Sequence, residues 1–201
     1  MAAPIDFYFD FTSPYGYLAA TQIERLAATY GRNVKWHPIL LGVVFKATGA
    51  VPLTSVPMKA EYTLRDLERT ARFIGVPYRH PSTFPIATQA TARAMLWIAD
   101  THGEAKAAEF AKAAYRALFA DGVNIGDAAE TAKIAAGLDV DPEALGAALA
   151  SAEVKERLKA EVEQAMARGV FGSPFVIVDG EPFWGFDHFP QIEALLRNGK
   201  I

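Results

Sequence analysis

The sequence predicts an α/β fold in which a long helical segment separates two parts that contain β-strands. Short runs rich in aromatic and β-branched residues, typical of strands, lie near the two ends of the chain, at residues 5–11, 34–40 and 174–184. From about residue 42 to 168, alanine-rich stretches and apolar residues spaced three or four apart indicate helices. A chain of 201 residues is long enough for one well-buried domain or for a small domain with a large insertion.

The N-terminal part is predicted to form a β-α-β unit over residues 5–40. Residues 5–11 alternate between apolar and polar side chains, as a half-buried strand does. Ser13 then signals the start of a helix, because serine caps a first turn, and Pro14 fits a position whose N–H needs no partner. Residues 34–40 return as a second strand, and a crossover of this kind is expected to be right-handed.

The C-terminal part returns to strands. Residues 174–178 form a short apolar run, and the pair Asp179-Gly180 is a strong hairpin turn that leads into residues 181–184. Asp187 is placed to cap a final helix. The element order is therefore β-α-β, a helical block and then β-β-α, which is the order of a thioredoxin fold with a helical domain inserted in its middle.

This order divides the chain into two predicted domains. Residues 1–41 and 169–201 form a discontinuous thioredoxin-like domain, and residues 42–168 form an inserted α-helical domain. The insertion carries three apolar stripes at helical spacing: Leu64, Leu67, Ala71 and Ile74; Ala92, Met95, Leu96 and Ala99; and Val154, Leu158, Val162 and Ala165.

The charge and the apolar stretches of the chain indicate which kinds of partner it can have. The net charge is −3 and Lys and Arg form no basic run, which argues against a nucleic-acid partner. No apolar stretch is long enough to span a bilayer, and residues 1–4 lead into the first strand without the apolar run of a secretory signal. We therefore expect a cytoplasmic protein with neither a membrane nor a nucleic acid as partner.

The chain contains no cysteine. A dithiol redox motif and a thiolate metal site are therefore excluded, and any sulfur chemistry must use a thiol brought in by a ligand. None of the four histidines has a second histidine or a carboxylate at a recognised metal-binding spacing, so we expect no metal.

The first candidate site segment contains Ser13, Pro14 and Tyr15, between a strand and a helix. The N–H groups and dipole of a first helical turn favour an anion there. A serine at this position can donate a hydrogen bond to a ligand thiolate and so lower the pKa of the thiol. On the motif alone, a simple helix cap is the more common role.

Two further segments contain candidate ligand contacts. The bond between Ser173 and Pro174 invites a cis peptide, and the residue before such a proline can pair through its backbone with a peptide ligand; the alternative is an ordinary loop proline before an edge strand. In the third segment, which contains Phe186, the carboxylate of Asp187 either accepts a hydrogen bond from a ligand ammonium or only caps the last helix.

In their order and spacing, these three segments resemble the 2-hydroxychromene-2-carboxylate isomerase family and the related kappa-class glutathione transferases, over roughly residues 5–197. The resemblance implies a DsbA-type thioredoxin fold with a helical insertion. It also implies glutathione as cofactor, a small aromatic substrate and a homodimer.

The resemblance also implies a role for individual residues. Ser13 matches the catalytic serine beside the glutathione sulfur, and Pro14 and Tyr15 complete that motif. Ser173, before the expected cis Pro174, matches the position that binds the cysteinyl backbone of glutathione.

The remaining contacts concern the two ends of glutathione. Phe186 and Asp187 match the pair that holds the γ-glutamyl end, and Lys59 matches a lysine near the glycyl carboxylate, although a solvated surface lysine is the simpler interpretation. One position departs from the family, which commonly has an asparagine that contacts glutathione where this chain has Ala50. That side-chain contact cannot exist in this protein.

Three functions are compatible with the sequence. The leading hypothesis is a glutathione-dependent isomerase of 2-hydroxychromene-2-carboxylate-like intermediates of aromatic catabolism, in which a thiolate adds to a conjugated double bond, lets it rotate and leaves again. The alternatives are a kappa-like transferase that consumes glutathione and a non-catalytic thioredoxin-fold module that binds glutathione or a peptide. A substrate carboxylate would need a cation, for which the sequence offers four unranked candidates: Lys46, Lys59, Arg65 and Arg69.

Overall fold

The computed structural model of the chain describes residues 3–201; Met1 and Ala2, with which the predicted N-terminal domain begins, lie outside the described residues. The strands are β1 (Ile5–Phe9), β2 (Val34–Pro38), β3 (Phe175–Val178) and β4 (Glu181–Trp184). The helices are α1 (Pro14–Ala20), α2 (Ile23–Thr29), α3 (Leu41–Thr48), α4 (Lys59–Ile74), α5 (Gln89–His102), α6 (Glu104–Phe119), α7 (Ala128–Ala136), α8 (Pro142–Ala150), α9 (Ala152–Ala167) and α10 (Phe189–Asn198). Short 3-10 helices lie at Leu53–Ser55 and Phe186–His188.

The four strands form one mixed sheet in the order β2-β1-β3-β4. β1 and β2 run parallel, with Phe7 opposite Trp36, and β1 pairs antiparallel with β3, with Tyr8 opposite Phe175. β3 and β4 form an antiparallel hairpin. The predicted α/β class, the thioredoxin-like order and the helical insertion between β2 and β3 are thus confirmed.

The turn of the β3–β4 hairpin is at Asp179 and Gly180, as predicted. Their φ angles are 52° and 91°, the pair of positive values that a type I′ turn requires. Arg32 also forms an ion pair with Asp179 at 2.7 Å, which ties the turn to the loop before β2.

The predicted β-α-β unit has one helix between its strands, whereas the structure has two short helices there. α1 ends at Ala20, and α2 begins at Ile23. Between them the hydroxyl of Thr21 donates to the carbonyl of Leu18, and the N–H of Gln22 bonds to the carbonyl of Ala19 instead of continuing the α-helical pattern. The interruption lets both short helices bury apolar side chains against the core.

Alternating residues of β1 face two different layers of the molecule. Phe7 and Phe9 pack edge-on against Trp36 on one face. On the other face Tyr8 stacks on His37, with ring centroids 4.4 Å apart, and Glu161 of α9 contacts the same imidazole. The last helix of the predicted insertion therefore packs directly on the sheet, and the division at residues 42 and 168 stays a prediction.

The three predicted stripes lie on α4, α5 and α9, and most of their side chains are buried.

No helix within residues 3–201 combines the length and the apolar composition needed to cross a bilayer. In the same span, no group of three or more His, Cys, Asp or Glu side chains is arranged to hold a metal ion.

Candidate active site

Two clefts, each of about 870 Å³, both reach Tyr15 near the start of α1. One is lined by Ser13 and the other by Asp187, and we call them the Ser13 cleft and the Asp187 cleft. They share a wall made by Tyr15, Leu53, Ser173 and Trp184. This shared wall brings residues from both ends of the chain to one place.

Ser13 caps α1 and also lines the Ser13 cleft. Its Oγ accepts a hydrogen bond from the N–H of Gly16 at 3.0 Å and donates one to the carbonyl of Ser173 at 2.9 Å. The residue is 5% exposed. The capping role that the sequence predicted is therefore present, and it occurs together with a position in the cleft wall.

The bond between Ser173 and Pro174 is cis, as predicted. The Ser173 hydroxyl oxygen accepts a hydrogen bond from the N–H of Asp10 at 3.0 Å, and the carbonyl of Pro174 accepts one from the N–H of Gly185. This loop is therefore joined both to the end of β1 and to the segment that carries Asp187.

Gly16 lies where no side chain fits. A Cβ at this position would be 2.5 Å from the hydroxyl oxygen of Tyr115 and 3.0 Å from the Ser173 Oγ. Tyr115 is buried on α6 and donates a hydrogen bond to the carbonyl of Asp10 at 2.8 Å. The first turn of α1 thus packs directly on a tyrosine that sequence reasoning did not select.

Asp10 is a second functional candidate that sequence reasoning missed. Its carboxylate is buried at the edge of the Ser13 cleft and accepts hydrogen bonds from the N–H of Thr12 (2.8 Å), the N–H of Leu41 (2.6 Å) and the hydroxyl of Thr88 (2.9 Å). Burial raises the pKa of Asp10, and these hydrogen bonds oppose the rise only in part. The one available signal was an acidic residue at the end of an otherwise aromatic strand.

Tyr15 is fixed in the shared wall by a neighbouring carboxylate. Its hydroxyl donates to Asp66 at 2.7 Å, and Arg69 bonds to the other oxygen of that carboxylate. Burial, followed by the hydrogen bond to Asp66, raises the pKa of Tyr15 well above its usual range. Tyr15 therefore stays neutral at physiological pH.

An aromatic pair stands at the mouth of the Ser13 cleft. The rings of Phe171 and Trp184 meet edge-on with centroids 5.0 Å apart, and the two residues are 44% and 53% exposed. The indole lies over Gly172, where an added Cβ would overlap the indole nitrogen. The geometry offers a half-exposed aromatic surface to a planar ligand.

Phe186 and Asp187 both line the Asp187 cleft. The alternative role of Asp187 as a helix cap is wrong, because α10 begins at Phe189, after His188, and no side chain caps it. The Asp187 carboxylate is 84% exposed and lies 3.5 Å from the Nδ1 of His188. It is thus accessible to a ligand in the cleft.

The structure does not bring Lys59 to either cleft. Lys59 is the exposed first residue of α4 and lies outside both linings. Ala50 does line the Ser13 cleft, with a methyl group only. Of the predicted site residues, Ser13, Pro14, Tyr15, Ser173, Pro174, Phe186 and Asp187 lie along the two clefts.

Comparison with known proteins agrees with this architecture. Residues 4–197 match the family described as a DsbA-like thioredoxin domain. The 2-hydroxychromene-2-carboxylate isomerase of Sphingobium xenophagum is 31% identical over 98% of this chain and 99% of that protein. Glutathione S-transferase kappa 2 of Caenorhabditis elegans is 26% identical over 96% of this chain and 91% of its own length.

Among solved structures, that of a 2-hydroxychromene-2-carboxylate isomerase superimposes with a TM-score of 0.88 at 28% identity, covering 96% of this chain and 94% of the other. A cysteine-free member of a fold that also hosts disulfide chemistry cannot perform that chemistry with its own thiols. The chain belongs to the DsbA-like thioredoxin domain family and, within it, to the 2-hydroxychromene-2-carboxylate isomerase family of enzymes.

Proposed function

We propose that this enzyme is a glutathione-dependent cis–trans isomerase of aromatic unsaturated carbonyl compounds of the 2-hydroxychromene-2-carboxylate type. The observation that carries the proposal is the position of the Ser13 hydroxyl, which lies in a cleft wall opposite a cis-proline loop and beside the Asp187 cleft. The names of the isomerase relatives support the reaction, and those of the kappa-class relatives support the cofactor.

The residues present fit two parts of glutathione, which are its thiol and its γ-glutamyl end. The hydroxyl of Ser13 is a neutral donor that suits a thiolate, and the exposed carboxylate of Asp187 suits the γ-glutamyl ammonium. We assign the backbone of Ser173, before the cis proline, to the cysteinyl segment, and Phe186 to the wall beside the γ-glutamyl group. The role of Lys59 at the glycyl carboxylate stays a prediction.

Glutathione bound along these residues would supply a thiolate for reversible addition to the conjugated double bond of the ring-opened substrate, which would allow rotation about that bond. Ser13 turns its hydroxyl proton from the Ser173 carbonyl towards the sulfur, which stabilises the thiolate by a charge-assisted hydrogen bond. The Gly16 N–H continues to donate to the same Oγ and holds the hydroxyl in place during this exchange.

The largely apolar wall of the Ser13 cleft would position the aromatic substrate beside the sulfur of glutathione. Phe171 and Trp184 provide an aromatic surface at its mouth, against which a planar ring can stack. Tyr15, held neutral by burial and by Asp66, lies in the wall shared with the Asp187 cleft, to which we assign the γ-glutamyl end.

A kappa-like transferase is the second candidate, because a kappa-class relative matches nearly the whole length of the chain. It would use the same thiolate but would keep the new carbon–sulfur bond. The two reactions are separated by measuring glutathione during turnover: an isomerase leaves its concentration unchanged, whereas a transferase consumes one equivalent for each product.

The assembly that we propose is a cytoplasmic homodimer. Three side chains of the 58–74 region support an interface, because Met58, Tyr62 and Phe73 are 90%, 62% and 88% exposed. Light scattering at micromolar concentration should give a mass near twice 21.8 kDa. A monomer mass under these conditions would contradict this assembly and would leave the isomerase proposal intact.

The function is tested with purified protein, the chromene substrate and glutathione. We expect formation of the trans product that depends on glutathione, and a loss of kcat/KM on the order of 100-fold in Ser13→Ala. Ser151→Ala is the matched control, since Ser151 caps α9 through the N–H of Val154 and lies outside both clefts. Turnover that is independent of glutathione, or equal in wild type and Ser13→Ala, would refute the mechanism.

A further inference from the structure

The charge of the Ser13 cleft bears on the substrate that it can accept, provided that the proposed function holds. Within residues 3–201, no Lys, Arg or His side chain lines this cleft, and its single ionisable carboxylate is that of Asp10. Much of the lining is apolar, including Leu40, Val43, Phe45, Phe84, Ile86 and Phe171. A substrate carboxylate bound against this wall would lose hydration without a cation to compensate for it.

The donors around Asp10 are already used by the carboxyl group of that residue. The Asp10 carboxylate accepts a hydrogen bond from the N–H of Leu41, the first residue of α3, at 2.6 Å. Its other oxygen is bonded to Thr12 and Thr88. A second carboxylate beside Asp10 would find these donors already taken and would face an apolar surface.

The groups that act on the pKa of Asp10 are consistent with a cleft wall that has no cation. Burial raises its pKa, and the groups that oppose the rise are two backbone N–H groups and one hydroxyl. No positive side chain contributes to that balance. Among the described residues, the carboxyl group of this cleft wall is therefore held by neutral donors alone.

The four cations considered from the sequence do not change this conclusion. Lys46, Lys59, Arg65 and Arg69 are exposed and lie outside the lining of the Ser13 cleft. The guanidinium of Arg69 is already bonded to Asp66. None of these four cations is therefore part of the wall that a substrate bound in the cleft would contact.

Neutral hydrogen-bonding groups are nevertheless present in the same wall. Thr54, Thr63 and Gln89 line the cleft, and Thr63 is buried. A hydroxyl or an amide can bond to a ketone or aldehyde oxygen without a charge on either partner. The lining thus suits a polarised but uncharged carbonyl group next to an aromatic ring.

We propose that the preferred substrate of the Ser13 cleft is an uncharged aryl-substituted unsaturated ketone or aldehyde, without the carboxylate that the substrate named for the relatives carries. Isomerisation of such a compound follows the same reversible addition of the glutathione thiolate and consumes no reagent. The thiolate adds to the carbon next to the ring, and the electron pair moves onto the carbonyl oxygen as an enolate. After rotation the enolate re-forms the double bond and expels the thiolate.

The test compares 2-hydroxychromene-2-carboxylate with 2-methyl-2H-chromen-2-ol, the analogue in which a methyl group replaces the carboxylate. Each kcat/KM is divided by the rate constant of the same compound with glutathione alone, because the keto acid is intrinsically more reactive. We expect the normalised efficiency to be at least tenfold higher for the methyl compound. Calorimetry with the two trans products and S-methylglutathione supplies a second readout, in which the uncharged product should bind more tightly.

A matched pair of variants tests whether the missing cation causes the preference for an uncharged substrate. Val43 is 44% exposed in the cleft wall, so Val43→Lys places a cation there and Val43→Met provides a side chain of comparable length without charge. For each variant, the normalised kcat/KM of the carboxylate is divided by that of the methyl compound. This ratio should be at least tenfold higher in Val43→Lys than in Val43→Met. This ratio is insensitive to a general loss of activity.

The outcomes separate the inference from the function on which it rests. A normalised efficiency of wild type for the carboxylate that equals or exceeds that for the methyl compound would overturn the inference and leave the isomerase function standing. Failure of both compounds to react in a glutathione-dependent way would instead refute the proposed function, and the inference with it.

Discussion

The Oγ of Ser13 lies 2.9 Å from the carbonyl oxygen of Ser173 and donates its hydrogen to it, although 160 positions of sequence separate the two residues. The same oxygen accepts the N–H of Gly16. One hydroxyl therefore caps a helix, closes the contact between the two ends of the fold and faces a cleft. Its proton is the group that a bound thiolate would attract.

Ser13→Ala should raise the pKa of the thiol of bound glutathione, because the donor that stabilises the thiolate is removed. We expect a rise of about one unit, equivalent to about 1.4 kcal/mol. The titration is followed by the ultraviolet absorbance of the thiolate in the complex. Ser151→Ala should lower the free energy of unfolding by about 1 kcal/mol, as the loss of a cap does, and leave the thiol pKa unchanged. An unchanged thiol pKa in Ser13→Ala would contradict the assignment.

Gly16→Ala should destabilise the protein because the new methyl group would lie 2.5 Å from the Tyr115 hydroxyl oxygen and 3.0 Å from the Ser173 Oγ. We expect a loss of about 1–3 kcal/mol in the free energy of unfolding, measured in urea. Gly146→Ala in α8 is the control. A Cβ there meets nothing within 4 Å, so that variant should be stabilised by about 0.5–1 kcal/mol. Equal effects of the two substitutions would show that Gly16 is not sterically required.

Asp10→Asn should also destabilise the protein. All three groups that contact the Asp10 side chain, including the N–H of Leu41 and the hydroxyl of Thr88, are donors, and an amide –NH2 would face one of them. Loss of a hydrogen bond to a buried charged group costs about 1.5–3 kcal/mol. Asp127→Asn, at an exposed cap of α7, should cost less than 1 kcal/mol. If Asp10→Asn lowers the free energy of unfolding by no more than Asp127→Asn does, the Asp10 carboxyl group has no special structural role.

Acid should destabilise the contact between the sheet and α9. Burial alone would raise the pKa values of Asp6 and Glu161, but hydrogen bonds from Arg168 to Asp6 and between His37 and both carboxylates outweigh it and lower them. Because the folded values lie below the unfolded ones, this stabilisation is complete above about pH 5 and is lost as the pH falls through the folded values.

The measurement is the free energy of unfolding at pH 6 and at pH 3.5. Glu161→Gln should be less stable than wild type at pH 6 and should lose less stability on acidification, since one of the titrating groups is gone. Glu153→Gln, at an exposed position of α9, should retain the wild-type dependence. A steeper acid loss in Glu161→Gln than in wild type would contradict the sign of the pKa shift.

Much of the local structure could be predicted because its causes lie within a few residues. Ser13 and Pro14 determine the start of α1, and Asp179 and Gly180 tolerate the positive φ angles of a tight hairpin turn. Asp187 shows the limit of such reasoning. A carboxylate before a helix is a common cap, yet here α10 begins two residues later and the side chain remains exposed.

The candidate site depended on contacts that no local pattern contains. Asp10 reaches Leu41 and Thr88 because α3 and the segment before α5 fold over the end of β1. The same packing leaves Lys59 outside both clefts, although the resemblance assigned it to glutathione. The lack of a cation in the Ser13 cleft is a property of the assembled wall and could not be inferred from the order of residues.

By itself, the sequence determined the order of helices and strands, the helix cap at Ser13, the hairpin turn and the need for a thiol from outside the chain, because side-chain chemistry and backbone preference act over short distances. Only the tertiary structure decided which distant groups meet, such as Ser13 with Ser173 and Asp10 with Thr88. It also decided that, among residues 3–201, no Lys, Arg or His side chain lines the Ser13 cleft. Those contacts follow from burying the faces of many elements together, which is a property of the whole packed chain and of no single segment.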